Sequence, residues 1–243
     1  MSISKNELRQ VRSLSQKKFR DETGLFTVEG EKMVAEAVAS GFEVVKVYRR
    51  EVIGEEAMAQ ISAQSSPSPV LAVVRQPLPP AGLPKLDKGL WLALDGIRDP
   101  GNLGTILRIS DWFGIDGVFA SADTVELYNP KVVQATMGAI FRVPFQTVDI
   151  QSLCRSVLAG GGHVYGTFLN GENLYGMALD TGVSTPSVIV IGNESRGISK
   201  ETAACVSDRL YIPPFPADDP GSESLNAAVA AAITVAEFRR RCM

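Results

Sequence analysis

The sequence predicts an α/β protein of two units joined by a proline-rich segment, the second and larger unit being built on a parallel sheet. Three observations carry that reading. Beyond residue 89, apolar β-branched runs alternate with helical patterns to the end of the chain, and the runs are apolar almost throughout. Strands of that kind belong to parallel sheets covered on both faces, because an antiparallel sheet with one wet face would alternate. Residues 76 to 89, QPLPPAGLPKLDKG, hold four of the 14 prolines and few groups able to build a ladder, so they read as a stiff linker. The predicted division is residues 1–75, a linker at 76–89, and a second domain at 90–243.

Taken in order, the first 20 residues set Lys5, Arg9, Arg12, Lys17, Lys18 and Arg20 against the single acid Glu7, a cationic start to a chain whose net charge is -3. One reading is a surface that approaches a polyanion; the other is a solvated amphipathic helix with Leu8, Val11 and Leu14 turned inward. An apolar run at Leu25–Glu29, a helix from Glu31 to Ser40, a strand at Val44–Tyr48, a helix around Glu55–Gln64 and a strand at Val70–Val74 complete a small α/β unit. In the second domain, strands are expected at Leu90–Ile97, Gly117–Ser121, Val143–Val148, His163–Leu169, Ser187–Ile191 and Leu210–Ile212. Helices are expected at Asn102–Phe113, Lys131–Phe141, Ile150–Leu158, Lys200–Val206 and Ser224–Arg240.

With 243 residues, 45% hydrophobic and 21% charged, the composition is that of an ordinary globular protein and excludes disorder and fibre. Cys154, Cys205 and Cys242 lie far apart with no C-x-x-C pair, so neither a disulfide framework nor a thiolate zinc site is indicated and a reducing cytoplasm fits best. No metal is called for. The start MSISKNELRQ has no signal-peptide-like apolar stretch, and the apolar run Leu225–Val235 is shorter than the ~20 residues of a membrane span. No membrane segment is expected.

Three loops that follow predicted strands carry polar residues of a specific kind. In LDGIRDPGNLGTILRISDWFGIDGV, residues 94 to 118, Asn102 is placed to cap a helix, and Gly104 shares a face with Arg108, leaving the guanidinium open to a ligand. The alternative is a capped helix whose arginine pairs with an acid such as Asp111. In SVIVIGNESRGIS, residues 187 to 199, glycines at 192 and 197 bracket polar side chains at the end of an apolar strand. That pattern admits a ligand to the backbone amides, yet it is neither a dinucleotide fingerprint nor a phosphate loop. In residues 210 to 241 a strand ends at Ile212-Pro213, a Pro/Gly/Asp loop follows, and Ser224-Leu225-Asn226 enters an alanine-rich helix able to pack closely.

Together these segments resemble the SpoU or TrmH family of RNA ribose 2′-O-methyltransferases in the SPOUT superfamily. The family's motifs look like Asn102–Arg108, Ile191–Ile198, and Ile212-Pro213 with Ser224-Leu225-Asn226-Ala227; Asn129–Ala139 is similar to its middle segment. Residues 1–75, especially Phe26-Thr27-Val28-Glu29-Gly30-Glu31, look like the ribosomal-protein-like RNA substrate-binding domain that often precedes this catalytic domain. One departure is the stretch from Pro213 to Ser224, longer than the family's compact loop.

The resemblance implies a deep trefoil knot, S-adenosylmethionine as cofactor, an RNA partner, ribosomal or transfer, and a homodimer. It implies cofactor contacts at Thr167, Phe168, Leu169, Gly192, Asn193, Gly197, Ile212 and Leu225. Catalysis falls to Arg108, with Asn102 holding it, Ser224 and Asn226 positioning substrate, and Glu194 or water accepting the proton. A guanidinium with a pKa above about 12 is a poor base, so Arg108 is read as stabilising the alkoxide. A knotted RNA-binding or ribosome-assembly module without methyl transfer is the rival reading; an enzyme of another nucleotide cofactor is disfavoured by the missing phosphate-loop fingerprints. His163, unmatched to any motif, reads as structural.

Overall fold

A computed structural model describes residues 3–216 and 224–243. The chain divides into two compact units, one comprising Met1–Pro79 and Glu126–Arg142, the other Pro80–Val125 and Val143–Met243.

The first unit runs α1 (Lys5–Ser13), α2 (Lys17–Thr23), β1 (Leu25–Glu29), α3 (Glu31–Ala39), β2 (Val44–Arg49), α4 (Arg50–Ile53), α5 (Glu55–Ile61) and β3 (Val70–Arg75). Its sheet is antiparallel in the order β1-β3-β2. The central strand is the one with the continuous apolar run, and Val70 to Val74 are all buried. Helix α1 lays Val11 and Leu14 onto Tyr48, Met58, Ile61, Leu71 and Val73, with Leu8 partly buried beside them. The amphipathic reading of the N-terminal stretch therefore holds for the apolar face.

The basic residues of that stretch are not alike. Lys17 and Lys18 are exposed and pair with Asp21 and Glu22 one turn on, whereas Arg20 is 2% exposed. Arg20 donates to the Leu14 carbonyl at 2.8 Å and to both carboxylate oxygens of Glu126. Arg20 is thus a core residue, not part of a phosphate-facing surface.

Its partner explains why residues 126–142 fold with the first unit although they lie beyond the proline-rich segment. Tyr128 packs on Phe26 with ring centroids 4.6 Å apart, Phe141 meets Phe42 edge-on at 5.1 Å, and Arg142 pairs with Glu36. A reading by linear composition cannot see such an excursion. The expected helix over 131–141 is also shorter: α7 covers Pro130–Ala135, and left-handed backbone at Met137 and Gly138 separates it from a 3-10 turn at Ala139–Phe141.

The second unit holds β4 (Gly89–Asp95), α6 (Pro100–Trp112), β5 (Gly117–Ala120), β6 (Phe145–Thr147), α8 (Ile150–Ala159), β7 (His163–Asn173), β8 (Pro186–Gly192), α9 (Lys200–Ala203), β9 (Asp208–Tyr211) and α10 (Ala227–Arg240). Its sheet has the order β6-β5-β4-β8-β7-β9, and every adjacent pair is parallel. Strand β8 is buried along its whole length, as expected of a strand covered on both faces. On one face Leu153, Cys154 and Val157 of α8 pack with Val164, Val188 and Val190. Tyr165, the next residue on β7, points to the other face, where its ring meets Phe238 of α10 at 5.0 Å.

Helix α10 is anchored at its end by Glu237, 5% exposed. Its carboxylate takes hydrogen bonds from Arg240 and Arg241 at 2.7–2.8 Å, and these guanidiniums, Arg240 foremost, hold it down to about 2 from an ordinary 4.5. Arg241 reaches on to the Leu174 carbonyl at 3.0 Å, and Arg239 donates to the Phe113 carbonyl at the end of α6 at 2.8 Å.

Candidate active site

Because β4, β8, β7 and β9 are neighbours and parallel, the loops that leave their carboxyl ends emerge along one edge of the sheet, where open α/β sheets bind ligands. Asp95 pairs with Gly192 and Thr167 with Leu210 in the ladder, which brings the three motif-bearing segments to that edge.

The loop after β4 enters α6 through Asp99, which accepts from the Asn102 amide nitrogen at 2.8 Å, with Pro100 in the first turn. The cap expected at Asn102 is therefore supplied three residues earlier. An aspartate followed by proline suits the first turn better, since proline has no N–H to leave unsatisfied there. The consequence is chemical. Asn102, 8% exposed, has its side chain free to work across the fold: Nδ2 donates to Glu194 Oε1 at 2.6 Å, and Oδ1 accepts from Asn226 Nδ2 at 2.9 Å. Asn226 in turn caps α10, accepting from the Ala228 and Val229 nitrogens. The helix entry expected at Ser224 thus falls at Asn226.

After β8 the chain closes a tight turn, with paired backbone hydrogen bonds between Asn193 and Gly197 at 3.0 and 2.9 Å. Asn193 organises it: Oδ1 accepts from the Ser195 and Arg196 nitrogens, and Nδ2 donates to the Gly96 carbonyl at 2.7 Å and to Glu194 Oε2 at 3.3 Å. Gly197 has φ of +67°, a left-handed conformation that favours glycine. A Cβ on Gly192 would lie 2.3 Å from the Gly197 carbonyl carbon and the Ile198 nitrogen. The two glycines are required by close backbone approach within the turn.

Asp95 belongs to the same edge and carries a role that sequence reading missed. It is 9% exposed and accepts from both the backbone nitrogen and the hydroxyl of Ser199, at 2.8 and 2.7 Å, tying the far end of the turn to β4. An acid closing an otherwise apolar strand was the available signal. Ser199 does cap α9, as its place in the sequence suggests.

Strand β7 runs past its expected end to Asn173, with its pairing to β9 broken between Thr167 and Glu172. Thr167, Phe168 and Leu169 therefore lie at an irregularity inside the strand, not at its terminus. Thr167 Oγ1 donates to the Val190 carbonyl at 3.3 Å, Arg209 covers the half-buried Phe168 ring at 3.8 Å, and Leu169 is 70% exposed. Ile212 is half-buried; Ser224 and Leu225 are exposed. Residues 217–223, most of the long loop after Ile212-Pro213, lie outside the described residues.

Arg108 stands about one and two-thirds turns beyond Asn102 on α6. It is exposed, and it forms no hydrogen bond or ion pair with another described residue, whereas Gly104 is buried. His163 lies at the opposite, amino-terminal end of β7, stacked on Tyr165 and 3.5 Å from Asp208. Among the described residues no three His, Cys, Asp or Glu side chains cluster as metal ligands, and no helix is long and apolar enough to cross a membrane.

Residues 89–236, which hold this whole arrangement, match the model of the SpoU rRNA methylase family. The chain belongs to that family. Residues 5–66 match a second model, the MRM3-like substrate binding domain. Over its full length this SpoU-family chain is 28% identical to the 23S rRNA (guanosine(2553)-2′-O)-methyltransferase RlmP of Bacillus subtilis, covering 98% of each chain. A TrmH-family protein from Porphyromonas gingivalis has the same fold, with a TM-score of 0.88 at 36% identity over 99% of this chain and 100% of that one. An AdoMet-bound rRNA methyltransferase from Sinorhizobium meliloti superposes with a TM-score of 0.87 at 29% identity, over 100% of this chain and 98% of that one.

Of the residues singled out from sequence, the fold joins Asn102, Asn193, Glu194 and Asn226 in one hydrogen-bonded chain and sets Gly192 and Gly197 in the turn it braces. Ser224 makes no hydrogen bond with another described residue, and Arg108 stands apart from the chain.

Proposed function

We propose that this SpoU-family chain transfers a methyl group from S-adenosylmethionine to a ribose 2′-hydroxyl of RNA, ribosomal RNA being the substrate named for its relatives. The observation that carries the reading is the Asn226–Asn102–Glu194 chain, which links all three motif loops at the carboxyl edge of the sheet. Asn226 also caps α10, whereas Asn102, relieved of capping by Asp99, and Glu194 have no such local duty.

When bound, S-adenosylmethionine supplies an electrophilic methyl on a sulfonium. The backbone at Gly192, Asn193, Gly197, Ile212 and Leu225 would hold it, with Thr167, Phe168 and Leu169 as apolar wall. The fit is supported by the apolar surface on β7 and on the segment that leaves β9, where Leu169 and Leu225 are exposed and Phe168 and Ile212 half-buried.

The chain's own residues meet the remaining demand, a nucleophile that is barely acidic. Arg108, a permanent cation with no partner among the described residues, stabilises the developing alkoxide and the neighbouring phosphate. Glu194 takes the proton, directly or through water, and Asn102 fixes its carboxylate by donating to Oε1. Asn226, held by its own cap, and Ser224 position the ribose. Residues 1–75 recognise the RNA, with 76–89 as linker and 90–243 as the catalytic domain, threaded as a trefoil knot.

The protein acts in the cytoplasm as a homodimer whose contact includes Val229, Ala230 and Ile233, the face of α10 left partly exposed once Ala227, Ala228 and Ala231 are buried within the unit. Light scattering at micromolar concentration tests the dimer. Transfer of radiolabelled methyl to RNA, with mapping of 2′-O-methyl sites in total RNA from cells lacking the protein, tests the reaction. Absence of transfer and of any missing site overturns the reading.

A further inference from the structure

The first unit contains a cavity of about 300 Å³ between β1, the segment after α5, and α7, lined in part by Thr27, Glu29, Ala63, Gln64, Lys131 and Val133. All of these residues belong to that one unit. Its polar groups are arranged unlike those of a packing defect. Glu29 is 6% exposed and accepts from the Ser62 hydroxyl at 2.5 Å and the Ala63 nitrogen at 2.7 Å. Both donors are neutral, and Glu29 has no ion pair among the described residues. A carboxylate offers about four acceptor sites, so roughly half of its capacity is open in a place where leaving a charge uncompensated is costly.

One neighbour is unsatisfied as well, and a second makes no side-chain bond among the described residues. Gln64 Nε2 is the one buried side-chain polar atom, among those described, with no hydrogen-bond partner, and such exceptions call for a reason. Thr27 is 7% exposed, and its hydroxyl bonds to no other described residue. The cavity thus pairs an anionic acceptor with an unused amide donor, between the apolar surfaces of Ala63 and Val133 and beside the cationic Lys131.

We infer that this cavity receives an unpaired guanine of the RNA substrate. Guanine presents two N–H donors, N1–H and N2–H, next to the O6 acceptor. The donors suit the open oxygens of Glu29 and O6 suits Gln64 Nε2, which a turn of the side-chain amide presents to the cavity; Lys131 faces the attached phosphate. Adenine offers a single donor group beside an acceptor, and uracil offers one N–H between two acceptors, so neither satisfies the carboxylate equally. Reading splayed single-stranded bases by their Watson–Crick edge is how proteins discriminate RNA sequence. The inference rests on the RNA-modifying reading above and adds to it the base that the first unit selects.

The test is fluorescence anisotropy of the full-length protein with oligouridine hexamers carrying one central guanosine, inosine, adenosine or uridine, at fixed salt. The expected result is about tenfold tighter binding of the guanosine hexamer than of the adenosine or uridine one, with inosine, which lacks the N2 amine, between them. Glu29→Gln and Ala63→Phe, the second plugging the cavity from its exposed rim without touching a buried charge, should each bring the four hexamers to within about twofold, with unchanged circular dichroism. Equal affinities in the wild type, or a preference that survives in Ala63→Phe, overturns the inference. Free GMP binding more tightly than the guanosine hexamer also overturns it, assigning the cavity to a nucleotide instead of RNA. Methyl transfer measured on the same preparation separates the two readings: discrimination without transfer sinks the enzymatic proposal alone, and transfer without discrimination sinks the cavity alone.

Discussion

The side-chain amide of Asn102 donates to Glu194 at 2.6 Å across 92 positions of sequence, while the same amide's oxygen accepts from Asn226. An amide used at both ends is held in one orientation, so the Glu194 oxygen it touches is fixed relative to α6 and α10 together.

Asn102→Ala should therefore impair chemistry more than binding. It leaves the half-buried Glu194 Oε1 and the Nδ2 of the exposed Asn226 without their partner, a net loss of about 0.5–1.5 kcal/mol per hydrogen bond. A fall of about 10- to 100-fold in the single-turnover rate is expected, with S-adenosylmethionine affinity within a few-fold. An unchanged rate would remove Glu194 from the mechanism.

Arg108→Ala separates function from stability in the opposite sense. Exposed and unpartnered among the described residues, Arg108 should affect folding by no more than about 0.5 kcal/mol. Loss of an oxyanion-stabilising donor costs on the order of 3 kcal/mol in the transition state, so transfer should fall at least about a hundredfold at constant melting temperature. Wild-type rates in the variant would sink the assignment.

Gly192→Ala places a methyl group 2.3 Å from backbone atoms of Gly197 and Ile198, so the turn must open. Calorimetry should show S-adenosylmethionine affinity reduced about tenfold or more, an effect of about 1.4 kcal/mol. Retained affinity would show that the turn is not part of the cofactor cradle.

Within the cationic N-terminal stretch, Arg20 and the two lysines should behave as different kinds of residue. Arg20→Met removes a buried guanidinium and leaves the half-buried Glu126 carboxylate and the Leu14 carbonyl without their donor, a loss of about 1–3 kcal/mol that urea denaturation should register. Lys17→Ala with Lys18→Ala should leave stability nearly unchanged and flatten the salt dependence of RNA binding by about two units, if each contacts a phosphate. Unaltered salt dependence in filter binding would leave the two lysines as solvated helix cover.

Acid should release the end of α10 in a defined window. The folded-state value of Glu237 is depressed to about 2 from 4.5, so its stabilisation is complete above about pH 4.5 and is lost as the pH falls through about 2. The melting temperatures of wild type and Glu237→Gln should differ by a constant amount above about pH 5 and converge between there and pH 2. A gap that persists at pH 2 would mean that packing, and not the carboxylate, anchors the helix.

The sequence by itself determined the secondary structure of the second unit, its parallel sheet and the order of the three motif loops. These follow from local rules: β-branched apolar runs make covered strands, 3.6-residue periodicity makes helices, and glycine or proline ends them. Even there, Pro100 sets the start of α6 at Asp99 and not at Asn102, because proline suits the first turn of a helix.

The tertiary structure decided which side chains answer one another. Nothing near Asn102 in the chain tells that Glu194 and Asn226 complete it, or that Asp95 holds Ser199, because the topology of the sheet brings those groups together from about a hundred residues away. The same reason accounts for Arg20 and for residues 126–142. A cation in a basic run looks solvated until a distant carboxylate is folded against it, and a segment looks bound to its neighbours in sequence until its aromatic rings find partners across the fold. Local propensity sets the elements; burial and hydrogen-bond satisfaction, which depend on every element at once, set the site.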